Sequence, residues 1–368
     1  MLKPKTRFII YNKNTIFEPD YSEERRPRKR ARLEDEESDE LAGLFRDSQY
    51  YDPKLSNACV VLAGDTLFRV KIDVLSKASH KLHAIVDGTE LSGDRNPVRL
   101  DAEPDEFRAL VWALYTSPDE IRSIKNTTHL SRLCSLAKIS HAFHCTSQKS
   151  LALSALRDAL DLPPFETCSS SNLHLLAETA VRCEAPILLD AIVSRWIKRI
   201  QRHEIPCVPA IISADALHIH RLSGAACYAH LQEVAEQSVA DPDKGVTHLR
   251  LDSKLDSPQK LQLLAGYWSL VNYWERFRRS PSRFVCCSHD KCANIWERCW
   301  GMALGAPKVL QASQVDVSGL IRLARESLAA HNELKTMNAE CRAKALQSLD
   351  DASDSLNANL GEHFTKSL

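Results

Sequence analysis

Thiols and imidazoles are the residues of this chain best equipped for chemistry, and they crowd in one place. That place is Cys286-Cys287-Ser288-His289-Asp290-Lys291-Cys292, with Cys299 further along. Thiolate sulfur and imidazole nitrogen are what tetrahedral zinc prefers, which makes Cys286, His289, Cys292 and Cys299 the candidate ligands. The spacing works against them. Cys286, His289 and Cys292 recur every three residues, a period that drifts round a helix instead of converging, and closed zinc sites usually draw on two chain segments. The competing reading is a packed helix: Ser288 caps it, Cys292, Ile295, Trp296 and Cys299 form its buried stripe, and Trp300 lies beside them. A packed helix without metal is the expectation, and no cofactor is expected elsewhere.

Other constellations point the same way. Cys134, His141 and Cys145 share one helix face, where a free thiol behaves as a small hydrophobe. His218 and His220, with Asp215 nearby, are the best scattered acid–base groups, but no nucleophile can be set beside them. The sequence contains no glycine-rich phosphate loop, no HExxH and no GxSxG, so no local geometry for phosphate binding, zincin hydrolysis or a serine elbow is present. An enzyme is not expected. Trp268, Trp274, Trp296 and Trp300 fall on helix faces and read as core residues rather than as a stacking platform for bases.

Zero formal net charge leaves no global field to hold nucleic acid or an anionic membrane, and direct nucleic-acid binding is not expected. Twelve cysteines without a CxxC pair suit free thiols in a reducing compartment. No apolar run is long enough for a signal-peptide core or a membrane span, so neither membrane insertion nor secretion is expected.

Three regions are expected to position these residues. Residues 1–54 read as a charged tail, since charge arrives in blocks that repel rather than pack. One block is basic, with Arg25, Arg26, Arg28, Lys29, Arg30 and Arg32, and fits a nuclear-import signal; Glu34 to Glu40 follow with opposite sign. Residues 55–160 open with Ala58 to Ala63 and Thr66 to Val70 across a Gly64-Asp65 turn, a hairpin. Two short helices, a strand at Val98-Arg99-Leu100 and a helix bearing Phe107, Leu110, Val111, Leu114 and Tyr115 come next, then a helical stretch from Thr128 to Leu160. Residues 161–368 read as helices over Leu173–Arg182, Ala185–Arg202, Leu222–Glu236, Leu261–Phe277, Ile295–Leu304 and Val315–Leu349, parted by prolines. The fold class is α+β followed by an all-α region, which either packs on the first module or forms its own domain.

This order of elements resembles the BTB/POZ domain. Leu67-Phe68-Arg69-Val70-Lys71 with Val74-Leu75 and Ser79 looks like one family segment. Asp105 to Leu110 with Trp112 to Tyr115 is most similar to the fungal, basidiomycete-like branch. Cys59, Lys71 and Leu82 depart from the family pattern, and the first of these argues against a co-repressor groove of the family's type. The resemblance implies a non-enzymatic adaptor or scaffold that binds proteins. It implies a homodimer through the first short helix, with Ile72, Val74 and Leu75 at the seam; the competing account has the C-terminal helices cover that face in a monomer. Partners in view are chromatin-associated proteins or, if the chain is a substrate adaptor of a ubiquitin ligase, a cullin. The basic run implies the nucleus, with a location shared with the cytoplasm as the alternative.

Overall fold

In the hairpin, β2 (Ala58–Ala63) and β3 (Thr66–Lys71) pair antiparallel, with Val61 opposite Phe68 and Cys59 opposite Val70. Gly64 makes the turn at φ +57°, and a Cβ there would lie 3.0 Å from the Pro104 ring, so both backbone and packing call for glycine. The structure is a computed structural model and describes residues 43–87, 92–123, 129–239, 251–281 and 290–365. The chain divides into Met1–Phe45 and Arg46–Leu368, and almost every described residue lies in the second unit.

Helices α1 (Ile72–Ala78) and α2 (His80–Val86) follow β3, and β4 (Val98–Leu100) then joins β2 in parallel. With the two-residue β1 (Phe45–Arg46) the sheet order is β1-β3-β2-β4. Every residue of β2 is buried. Strand alternation sends Cys59, Val61, Ala63, Phe68 and Val70 to one face, which belongs to the main core, while Val60, Leu62 and Leu67 are buried outside it. Helix α3 (Pro104–Tyr115) starts with proline and acidic residues in its first turn and packs Phe107 edge-on against Phe68, ring centroids 4.9 Å apart.

Residues 46–54, expected as tail, are tied to the sheet instead. The Asp47 carboxylate is buried and accepts from the Gln49 and Tyr50 backbone N–H groups, at 2.9 and 2.8 Å, and from Arg108 Nε at 2.8 Å. The Arg69 N–H donates to the Tyr50 carbonyl at 2.8 Å, and Arg69 Nε to the Leu55 carbonyl at 3.2 Å.

The helices continue as α4 (Pro118–Arg122), α5 (Leu130–Ala142), α6 (Thr146–Leu160), α7 (Pro163–Glu166), α8 (Ser170–Arg182), α9 (Pro186–Gln201), α10 (Cys207–Ala216) and α11 (His220–Val239). The helical stretch expected up to Leu160 is two helices, parted at Phe143-His144-Cys145. There His144 is left-handed, and the Cys145 N–H reaches back to the Ser140 carbonyl at 2.8 Å, the closing bond of a Schellman turn. The same device ends α8, α9 and α10, with Glu184, His203 and His218 at φ 52°, 56° and 55° and closing bonds of 2.8, 3.0 and 2.9 Å. Glycine usually fills this position; the hydrophobic period nevertheless placed the stops at Arg182 and Arg202, while the one after Ala142 was not foreseen. Helix α10 was also missed, because Pro209 read as a break; it sits in the first turn, where a missing N–H costs nothing.

Then come α12 (Ser257–Arg279), α13 (Asp290–Leu304), α14 (Pro307–Gln311), α15 (Val317–Ala330), a 3-10 turn at Glu333–Thr336, α16 (Ala339–Ala358) and α17 (Leu360–His363). The single helix expected over Val315–Leu349 is therefore two helices and a corner. His331 leaves the helix with extended backbone, and Asn338 restarts it by accepting from the Glu340 and Cys341 N–H groups. Near the end of the chain, Gly224 of α11 lets the Leu360–Gly361 backbone approach where any Cβ would collide. One continuous buried cluster runs from Cys59 to Phe364, so the helical region packs against the sheet module within one compact unit.

At the α10–α11 turn, His218→Val should cost about 1–2 kcal/mol, since a β-branched residue tolerates positive φ poorly, while His218→Gly should cost nothing. Urea unfolding of both variants checks this; equal losses would contradict the left-handed assignment.

Candidate functional site

Helix α1 springs directly from the last residue of β3, and this limits which side chains it can show. Leu75 is fully buried in the core and cannot lie at a seam between chains, a correction to the expected trio. Ile72 and Val74 are half-buried at the surface, with Ile72 also leaning on the core. Tyr115, at the end of α3, is 50% exposed and takes the Lys71 backbone N–H on its hydroxyl at 3.5 Å. Ile72, Val74 and Tyr115 thus belong to the exposed side of this corner.

A larger apolar surface lies on α12. Its start is fixed by a capping box in which the Asp256 carboxylate accepts from the Gln259 N–H at 2.7 Å and Gln259 Oε1 accepts from the Asp256 N–H at 3.1 Å. Leu263, Gly266, Leu270 and Trp274 face the core. Leu261, Leu264 and Trp268, spaced three and four apart, form a second stripe that faces solvent, and Trp268 is 68% exposed. Trp268 therefore corrects the expectation that all four tryptophans are core; Trp274, Trp296 and Trp300 are. The spacing of this second stripe was readable in the sequence, but a helix with two apolar stripes does not announce which one is buried.

All ten described cysteines are free and buried. Burial pushes the Cys134 thiol up to about 11 and the Cys227 thiol up to about 12. Burial and the nearby Glu233 carboxylate push Cys207 higher still. Thiols held protonated in this way are poor nucleophiles. His141 meets Lys149 Nζ at 2.9 Å, and His218 and His220 are exposed at the ends of the α10–α11 turn. Beside β4, a cleft of about 610 Å³ includes Arg99, Asp101, Glu103, Glu106 and Arg182; burial pushes Glu106 up, and Arg182 stands 3.7 Å from it.

Of the expected zinc ligands, Cys292 and Cys299 lie two turns apart on the buried face of α13, with Trp296 and Trp300, as the packed-helix reading has it. Cys286 and His289 lie outside the described residues, as do Arg25, Arg26, Arg28, Lys29, Arg30 and Arg32 of the basic run. Across from Cys299 the corner between α15 and α16 brings up His331, whose Nδ1 is 3.5 Å from the sulfur, and Glu333, whose Oε2 is 4.0 Å from it. Sequence reading missed both partners because it ran one helix straight through them.

No family model, curated protein or solved structure matches this chain. Its own surfaces carry the functional reading.

His230 on α11 is buried, its ring nitrogens have no hydrogen-bond partner among the described residues, and Glu233 Oε2 is 3.9 Å away. Burial lowers its pKa below 6.5, outweighing the Glu233 and Asp252 charges. Above about pH 6.5 the ring is neutral in both folded and unfolded chains. Below it the unfolded chain takes the proton first, so stability falls as pH falls. The urea midpoint of His230→Leu should drop less than that of the unaltered protein between about pH 7.5 and 5.5; parallel drops would contradict this.

Proposed function

We propose that this chain is a non-enzymatic adaptor that binds other proteins, built on a BTB/POZ-like α+β module with a helical region packed against it. The observation that carries the reading is the solvent-facing stripe Leu261, Leu264 and Trp268. Exposed contiguous apolar side chains on one helix face mark interaction surfaces, and tryptophan is among the residues that dominate binding energy. The buried, protonated thiols favour a binding role over nucleophilic catalysis. Replacing Leu264 and Trp268 with Asp should leave the unfolding midpoint unchanged and remove most of the proteins retained on the immobilised chain. Retention of the same set by the variant would sink the reading.

Self-pairing through the exposed side of α1 is part of the proposal, because Ile72 and Val74 are only half-buried there and Tyr115 stands beside the helix start. Two-fold pairing is the commonest soluble assembly. Light scattering should give the mass of two chains, and Ile72→Asp should give one, since its carboxylate would be desolvated at the seam. A single-chain mass for the unaltered protein at micromolar concentration would refute pairing.

The proposed site of action is the nucleus, on the strength of the basic run. A fluorescent fusion should leave the nucleus when Arg28, Lys29 and Arg30 become Ala; unchanged nuclear accumulation would count against import by this run.

A further inference from the structure

Cys299, His331 and Glu333 come from two chain segments that the fold brings face to face. Cys299 projects from the buried side of α13. His331 is the residue at which α15 stops, its N–H donating to the Leu328 carbonyl at 3.0 Å, and Glu333 opens the 3-10 turn two residues on. The three donor atoms lie within 4.8 Å of one another. We propose that these residues hold a zinc ion, with Cys299 Sγ, His331 Nδ1 and a Glu333 carboxylate oxygen as ligands and water at the fourth vertex.

The distances suit that ion. With zinc–sulfur near 2.3 Å and zinc–nitrogen or zinc–oxygen near 2.1 Å, the edges of a tetrahedron come to about 3.6 Å. The observed edges from sulfur are 3.5 Å to nitrogen and 4.0 Å to oxygen, so small side-chain rotations close the site. The donor set is selective: one soft thiolate, one imidazole and one carboxylate favour zinc over magnesium or calcium, which prefer all-oxygen shells. As the sulfur–metal bond forms, the Cys299 thiol releases its proton to solvent.

The cluster is buried at the sulfur and open to solvent at the carboxylate. The sulfur is buried, His331 is half-buried, and the Glu333 side chain is 47% exposed, which leaves room for the water ligand. Arg298 Nε, 3.9 Å from Glu333 Oε2, is the competing cation; its side chain is 64% exposed and can turn to solvent. Lys335 Nζ is engaged with Asn332 Oδ1 at 3.0 Å. An ion here would pin α13 to the corner between α15 and α16. It reverses the expectation of a metal-free segment, because that expectation rested on spacing within one helix.

The test uses the full purified chain, stripped of metal and titrated with zinc and then with cobalt. One equivalent of zinc should bind and raise the unfolding temperature, and cobalt should give a thiolate-to-metal charge-transfer band. Cys299→Ser should lose the band. His331→Ala and Glu333→Gln, both at accessible positions that need not disturb the fold, should weaken zinc by more than the roughly ten- to hundredfold typical of losing an outer-shell partner. Cys292→Ser should change neither. Failure of the folded, stripped chain to bind zinc would overturn the site, leaving a thiol–imidazole hydrogen bond only. A band that survives His331→Ala but disappears in Cys292→Ser would overturn it equally.

Discussion

Every residue of strand β2 is buried, and the rest of the structure follows from that constraint. A strand buried on both faces must be sandwiched. Its Cys59, Val61 and Ala63 face, shared with Phe68 and Val70 of β3, opens into a cluster that continues without interruption through the helices to Phe364. Phe107 closes the contact against Phe68 from α3, and large-to-small changes at such a pair cost about 3–5 kcal/mol. The helical region is thus the other half of the core that covers the sheet, and the stretch from Arg46 to Leu55 is bound to the sheet by Asp47 and by hydrogen bonds to β3.

Where sequence and structure agree, the signal was a hydrophobic period bounded by recognisable punctuation. Gly64-Asp65 announced the hairpin, Pro104 and its acidic neighbours announced α3, and the period of Cys292, Ile295, Trp296 and Cys299 announced α13. Where they part, the punctuation used unusual residues. Histidine occupies the left-handed position after Ala142 and after Ala216, where glycine would have marked a stop, and Pro209 looked like a break while sitting harmlessly in a first turn. Leu75, Ile72 and Val74 lie within one turn and a half, and only packing against the sheet decides that Leu75 turns inward.

The candidate sites show the same limit. Thiols and imidazoles could be found in the sequence, but their neighbours could not, because Cys299 meets His331 across a corner read as continuous helix. The exposed Trp268 was present in the spacing yet indistinguishable from core, since its helix carries one apolar stripe for the fold and another for solvent.

Sheet module and helical region share one core and should unfold together. Thermal unfolding by calorimetry, followed in parallel by near-ultraviolet dichroism and tryptophan fluorescence, tests it most directly. Trp112 reports on the sheet module, while Trp196, Trp274 and Trp296 report on the helices. The account predicts a single transition, coincident by all probes, with calorimetric and van't Hoff enthalpies equal. Two separated transitions, one lost when the chain is cut after Leu160 and the other retained with its midpoint unchanged, would contradict it.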